Sequence, residues 1–477
     1  MKPGSRLRVL VTNAGALALG GIVAQGTFVA VEALIARQVG PHAYGIYSSS
    51  YVLIMLMAHF MDMGMYWKLV QDGSRDPKSI AANFGTMMVA RIGLFILSYP
   101  LFLGFVWMSG GEPAAIQFFA MFAFFGLQVG MQELLGAVYT AQQRMTVSAV
   151  FQAAMPVAIL AFAAVLVIPH PSLPRLAIAF VAGAAVITTI WTWQVWARER
   201  PKVEVGAIAA TLRACFHYGV SGLIWNVYLR VGVLVLTFAS GVEQVAFFAA
   251  AFKLIDLFFK IAVLTNRVVA PRLYADSHHR PDDFARTSEV LLRMTVAAGA
   301  LGSLLLFVTG GWLVHLIYGA GFAASAQIIR ILGISLTLKT ISLIAQTVIS
   351  AADDHSYRMR VVAIATVWAI AFAIPLAMWW GAPGVAYAVV GGDVVLLALL
   401  MWRVWRTRAV VHVDQVFALP LAGAIGCGLL VSQMPGGVIA QAVTCVAVFA
   451  TLLWMSGYLK PVLALLKGGG PRTSDGV

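Results

Sequence analysis

Charge is scarce in this chain. Asp, Glu, Lys and Arg make up 11% of its 477 residues and hydrophobic residues 61%. A soluble domain carries roughly 25% charged residues to cover its surface. A water-soluble globular fold is therefore excluded, and an all-α polytopic membrane protein is expected. Cysteine is nearly absent: Cys215, Cys427 and Cys445 form no CxxC pair and fall in or beside apolar stretches. That spacing argues against a disulfide framework or a metal site and leaves small core residues. No GxxxxGK[ST] occurs, so the chain is no P-loop ATPase. Long hydrophilic segments are missing too. The shortest connections reduce to SGGEP (109–113), PHPSLP (169–174), GAP (381–383) and MPGG (434–437). The longest, near 198–213 and 273–289, are amphipathic or polar linkers. An enzyme such as an oligosaccharide polymerase or ligase needs a sizeable external catalytic loop, so no enzyme and no cofactor are expected. The net charge of +13 would suit nucleic acid, but the basic residues sit in loops on one side of the membrane, which argues against it.

What is present is apolar sequence in membrane-length runs. About 20 such residues span a bilayer, and the runs are 9–36, 46–69, 81–107, 115–140, 147–168, 175–197, 216–239, 245–270, 290–317, 324–350, 359–380, 384–404, 415–432 and 438–459, about fourteen spans. The basic N-terminus (MKPGSRLRVL) starts like a signal peptide, but its apolar run is too long and lacks a small-x-small cleavage site, so it reads as an uncleaved first span. An even number of spans puts both termini on one side. Cytoplasmic loops collect Lys and Arg, and most of the 32 basic residues fall in alternate loops on that same side, with Arg37 and Arg175 alone in the loops opposite. Both termini are accordingly expected in the cytoplasm.

The remaining basic residues, Arg91, Arg230, Lys253, Lys260, Arg330 and Lys339, lie inside spans. The stretch Phe252–Arg272 concentrates them. At 100° per residue, Lys253, Asp256, Lys260 and Arg267 fall within an arc of roughly 60° and run about 21 Å along the helix. A charged stripe in lipid is costly unless it faces protein or water, which makes it a candidate functional site. Topology places Lys253 in the outer half of its span, Lys260 near the midplane and Arg267 at the cytoplasmic edge, as an interface anchor. Arg330 is shallow enough to snorkel. The in-span acids are Glu32, Asp62, Glu133, Asp256 and Asp393. Asp256 is placed to neutralise Lys253 and Lys260 at i, i+3 and i, i+4, or to titrate and couple transport to an ion. Glu133 can pair with Arg91, Asp62 suits a helix end, and Asp393, after a Gly–Gly pair, can cap or kink its span. Trp191, Trp193, Trp196, Trp379, Trp380, Trp402 and Trp405 cluster at span ends, as an interfacial belt does. Gly219, Gly222, Pro100, Pro156 and Pro375 permit bends.

A weak internal repeat lays 13–68 on 214–269, with Gly40 meeting Gly241 and His59 meeting Lys260. Two halves of like orientation are the arrangement of parallel-repeat transporters. The expected organisation is an N-lobe (1–197, spans 1–6), a cytoplasmic linker (198–215), a C-lobe (216–408, spans 7–12), two extra spans (409–460) and a cytoplasmic tail (461–477).

The segment RQVGPHAYGIYSSSYVLIMLMAHFMDMGM (37–65), with IYGAGFAASAQIIRILGISL (317–336) and GAPGVAYAVVGGDVV (381–395), resembles the polysaccharide-export flippases of Wzx or O-antigen translocase type. These belong to the MOP superfamily, with the lipid II flippase and the MATE drug exporters. The resemblance implies a V-shaped bundle of two six-helix lobes with two peripheral spans, working by alternating access. It implies an undecaprenyl-pyrophosphate-linked oligosaccharide as cargo, membrane lipids around it and a polysaccharide polymerase complex as partner, in the bacterial inner membrane. Arg91, Arg230, Lys253, Lys260 and Lys339 would then meet the pyrophosphate, whose charge only fixed cations offset in a low-dielectric cavity. Glu32, Glu133 and Asp256 would serve ion coupling or charge pairing. The alternatives are a lipid II-type flippase and a MATE-like cation-coupled antiporter. A site for cationic drugs should be acidic and aromatic, whereas here the basic in-span residues are more numerous and deeper.

Overall fold

The computed structural model describes the backbone of residues 3–279, 281–352, 354–406, 413–434 and 437–461. It describes their side chains except those of 3–14, 16–18, 221, 264, 267–272, 275–279, 281–283, 355, 413–415 and 432. Arg267, the anchor expected at the end of the charged stripe, and the tail beyond 461 lie outside the described side chains.

Among the described residues every regular element is helical: α1 (Pro3–Asp62), α2 (Met65–Arg75), α3 (Lys78–Met108), α4 (Pro113–Ala141), α5 (Met145–Leu166), α6 (Leu173–Glu199), α7 (Ile208–Ala239), α8 (Val242–His279), α9 (Pro281–Tyr318), α10 (Ser325–Ala351), α11 (His355–Arg406), α12 (Val413–Ser432) and α13 (Val438–Met455). Ten are long and apolar enough to cross a membrane. Two of these are double-length and break at a glycine, α1 at Gly40 (φ 75°) and α11 at Gly381 (φ 60°). Only glycine takes such a backbone readily; Pro41 follows Gly40 directly, and Pro383 follows Gly381 after Ala382. Opening these two breaks, and adding α12 and the charge-interrupted α8, recovers the set of spans read from the sequence. The chain is a multi-pass helical membrane protein. Gly40 and Gly241, matched by the internal repeat, both stand at the turn between the first two spans of their repeat.

One boundary differs. The second span, expected to run 46–69, ends at Asp62. Met63 (φ 45°) and Gly64 (φ 88°) then turn the chain into a separate amphipathic helix, α2. Met65, Leu69 and Gly73 are buried on one face of α2, and Trp67 is exposed on the other.

The chain divides into two compact units, Met1–Ala246 and Phe247–Val477. In the first, α1 packs on α4, α5 and α7, and α4 on α6. Its core holds Tyr47, Phe122, Phe125 and Phe180, with the Phe122 and Phe125 rings stacked at 5.4 Å. The α6–α7 connection is tied down rather than loose: Lys202 N donates to Ala81 O (2.8 Å) and Glu204 N to Thr86 Oγ1 (3.0 Å). These bonds hold the start of α7 near α3, and α7, which the six-plus-six reading gives to the second lobe, packs on α1, α2 and α3.

In the second unit α10 is almost wholly buried, with α9 and α11 packed against it. α12 and α13 pack on each other and on α9. Cys427, Cys445, Phe449 and Leu453 fill that seam with Ala300 and Leu304, and the Tyr458 hydroxyl donates to Val416 O (2.7 Å) and Arg293 O (3.1 Å). All three cysteines are free and buried. Of the tryptophans expected in an interfacial belt, Trp193, Trp196, Trp379, Trp380, Trp402 and Trp405 are exposed, but Trp191 is not. It is fully buried and stacks on Phe151 at 4.7 Å, a core residue because its face of α6 turns inward.

Candidate functional site

Inside the spans of the first unit most charged residues gather into one cluster, whereas the second unit holds a buried pair and a half-exposed one. In the first unit the break after α1 organises the cluster. Asp62 Oδ2 accepts from Gly64 N (3.1 Å) and Oδ1 from Tyr66 N (3.0 Å), capping the start of α2. The same carboxylate pairs with Arg91 of α3, a fully buried side chain that also donates to Gly130 O of α4. A buried arginine is tolerated because its planar fork meets both acceptors at once. Asp62 thus has the helix-end role expected of it and a charge partner besides.

Glu133, one turn beyond Gly130, lies within electrostatic reach of Arg91, Asp62 and Arg230. The Arg91 fork goes to Asp62 and Gly130 instead, where sequence reasoning allowed a Glu133 partner. Arg230 of α7 donates Nη1 to Asn226 Oδ1 (2.6 Å), its i, i+4 neighbour. His59 donates Nδ1 to Met55 O (2.7 Å) and feels Arg230, Asp62 and Arg91. Four helices therefore bring together His59, Asp62, Arg91, Glu133 and Arg230.

Glu32 stands apart from this group. It is 2% exposed, and its two carboxylate oxygens accept from the hydroxyls of Tyr44 and Tyr47, each at 2.7 Å. Because Glu32 precedes the Gly40 break and the tyrosines follow it, the carboxylate ties the two halves of α1 together.

In the second unit the α8 stripe separates by depth. Lys253 Nζ is buried, whereas Asp256 and Lys260, an i, i+4 pair at 3.4 Å, keep 44% and 46% of their side chains exposed. Lys339 of α10 is buried, 3.4 Å from the buried Asp393 of α11, and its ammonium lies 5.2 Å from the Phe252 ring of α8. Ser335, one turn before Lys339, donates to the same carboxylate. Asp393 neither caps nor kinks its helix, since α11 breaks at Gly381. The glycines before it serve close packing: a Cβ on Gly391 would meet the Trp368 ring at 2.2 Å. Arg330 is exposed between buried neighbours and lies over the Phe307 ring at 6.0 Å, in keeping with a snorkelling side chain.

Arg91 and Lys339 are thus drawn into buried ion pairs, while the Lys260–Asp256 pair is half-exposed. Sequence reasoning missed the partners Asp62 and Asp393, which no local spacing links to their cations. The Asn226–Arg230 contact was missed as well, although its i, i+4 spacing is a local signal that could have found it. A separate groove of about 440 Å³ on α6, lined by Thr188, Thr189, Thr192, Trp193, Trp196 and Ala197, carries no charge and faces outward with its tryptophans.

Comparison with known proteins gives one family and one fold. The model of the polysaccharide biosynthesis protein family matches residues 10–274. Among solved structures, the lipid II flippase MurJ in an inward closed conformation is similar with a TM-score of 0.76 at 14% identity, over 94% of this chain and 99% of that one. An inward-facing multidrug resistance MATE family transporter of the MOP superfamily is similar at 0.66 and 13% identity, over 81% and 95%. The eukaryotic MATE transporter AtDTX14 is similar at 0.62 and 12% identity, over 84% and 98%. Identities this low establish the shared fold and nothing finer. No curated protein sequence matches.

Proposed function

The chain belongs to the polysaccharide biosynthesis protein family, and from this premise we propose that it is a lipid-linked oligosaccharide flippase. It moves an undecaprenyl-pyrophosphate-linked repeat unit from the cytoplasmic to the outer leaflet of the bacterial inner membrane, by alternating access, for O-antigen, capsule or exopolysaccharide synthesis. The glycan and pyrophosphate pass through the protein while the polyprenyl tail stays in lipid. Both termini face the cytoplasm, and a polymerase complex takes up the product. The chain carries out transport and no covalent chemistry.

The observation that carries this reading is Lys260, a cation at the middle of a membrane-length helix with nearly half its side chain exposed. A mobile ammonium there suits a phosphate as a point charge. Lys253, about two turns away on the same helix, and Arg230 of α7 are the further cations assigned to the head group. Arg91 and Lys339 are assigned charge pairing, since each already faces a buried acid. Glu32, Glu133 and Asp256 hold or balance charge along the route. The six-plus-six division of the lobes rests on the internal repeat. Fold likeness to MATE exporters alone does not favour drug antiport, because the in-span cations outnumber the in-span acids, where a site for cationic drugs should be acidic.

Replacing Lys253 and Lys260 together by Ala tests the reading. Lipid-linked oligosaccharide should accumulate on the cytoplasmic leaflet while the protein stays inserted. Unimpaired polysaccharide export in that double variant overturns it.

A further inference from the structure

The proposed route leaves the buried pair of the second unit without a task. Lys339 and Asp393 are 6% and 1% exposed in their side chains, on two helices of membrane length. A buried ion pair gives little net stability over apolar residues of similar size, and charge inside a span is costly. The surroundings are those of a cation site. Asp393 supplies a carboxylate, and Ser335, i, i+4 from Lys339 on the same face of α10, adds a hydroxyl oxygen on that carboxylate. The Phe252 ring turns its face to the ammonium at 5.2 Å, as cation–π geometry requires. Gly391 and Gly392 press the Asp393 segment against Trp368 and Ala369, so water does not dilute the carboxylate's field.

We infer that Asp393, Ser335 and Phe252 form a monovalent-cation site whose occupant is the chain's own Lys339 ammonium. A tethered ammonium carries the charge of Na⁺ or K⁺ but cannot dissociate. The site therefore neither takes up nor releases a soluble ion during the transport cycle. The same chemistry states what removal of the tether does: truncating Lys339 leaves a buried carboxylate and a vacated space beside an oxygen donor and an aromatic face, which an alkali-metal cation can enter. Lys253, next to Phe252 in the sequence of α8 and buried at its Nζ, is kept intact in the test.

The experiment uses full-length protein in detergent and needs no transport substrate, so its failure leaves the flippase reading untouched. Melting temperatures are recorded in NaCl, KCl and choline chloride at one ionic strength and one neutral pH. The wild type should melt alike in all three. Lys339→Ala should melt lower in choline and rise saturably with Na⁺ or K⁺, as mass action requires of a ligand held only by the folded state. That rise should vanish in Lys339→Ala with Asp393→Asn. Equal melting of Lys339→Ala in the three salts overturns the inference. Should Lys339→Ala yield no folded protein, Lys339→Ser is read in the same way. Failure of both to fold in every salt also overturns it, because an open cation site is filled by the cation supplied.

Discussion

Arg91 reaches from α3 to the carboxylate of Asp62, the residue that ends the second membrane-spanning half of α1 and caps α2. One side chain thereby fixes the place where a span stops and an amphipathic helix begins. Losing one partner of a buried ion pair leaves an uncompensated charge and costs about 3–5 kcal/mol. Arg91→Ala should therefore lower the melting temperature of the purified protein sharply, and Arg91→Lys should not restore it, because an ammonium cannot serve both Asp62 and the Gly130 carbonyl as a fork does. Replacing Arg91 and Asp62 together by Met and Asn should cost less than Arg91→Ala alone. Additive losses in that cycle would dissociate the two residues.

At the same break α7 comes close to the backbone of Met63 and Gly64. A Cβ on Gly219 would lie 2.6 Å from the Met63 carbonyl carbon, and one on Gly64 would lie 2.7 Å from Cys215 O. Backbone atoms cannot yield as side-chain tips do, and overpacking of this kind costs about 1–3 kcal/mol. Gly219→Val should destabilise by that amount in thermal melts, whereas Gly222→Ala, with nothing within 4 Å of its added Cβ, should be near neutral. Equal effects at the two glycines would mean that both serve bending rather than contact.

Much of this architecture was legible in the sequence, since a bilayer demands apolar runs of fixed length and the chain supplies them. Gly40–Pro41 and Gly381–Ala382–Pro383 read correctly as turns because their residues restrict the backbone by themselves. The stop at Asp62 was read only in part: the residue suits a helix end, but the apolar run continues through Met65 and Tyr66, and the Met63–Gly64 turn is held by the Asp62 carboxylate with its Arg91 partner. Trp191 was misplaced for a related reason: hydropathy does not distinguish a ring in the bundle from one at the lipid surface. In the charged clusters the cations stood out as costly exceptions. Their partners did not, because Arg91 and Asp62 are 29 residues apart and Lys339 meets Asp393 only across a helix packing.

Glu32 offers a cleaner dissection. Its two oxygens each take a phenol hydroxyl at 2.7 Å, one from Tyr44 and one from Tyr47. Hydrogen bonds to a charged group contribute about 1.5–3 kcal/mol. Tyr44→Phe and Tyr47→Phe should each destabilise within that range, and the double substitution should cost more than their sum as the buried carboxylate loses both donors. Glu32→Gln in the double-Phe background should recover part of the loss. A melting temperature unchanged in either single variant would show that the bond carries no weight.

Lys260 is where stability and transport should part. Its pair with Asp256 is half-exposed, and exposed ion pairs contribute about 0–1 kcal/mol, so Lys260→Ala and Asp256→Asn should each melt close to the wild type. If the ammonium binds a phosphate during passage, its loss removes a charge-assisted bond of about 1.5–3 kcal/mol, a reduction in flipping of about tenfold to a hundredfold. Lys260→Arg keeps the charge and should retain most of the rate, while Asp256→Asn, which removes only the counter-charge, should alter transport far less than Lys260→Ala. The measurement is the fraction of lipid-linked oligosaccharide reaching the outer leaflet, compared at equal amounts of inserted protein. Equal losses in Lys260→Ala and Asp256→Asn would assign the pair to charge balance on α8 and move the head-group contact to Arg230 and Lys253.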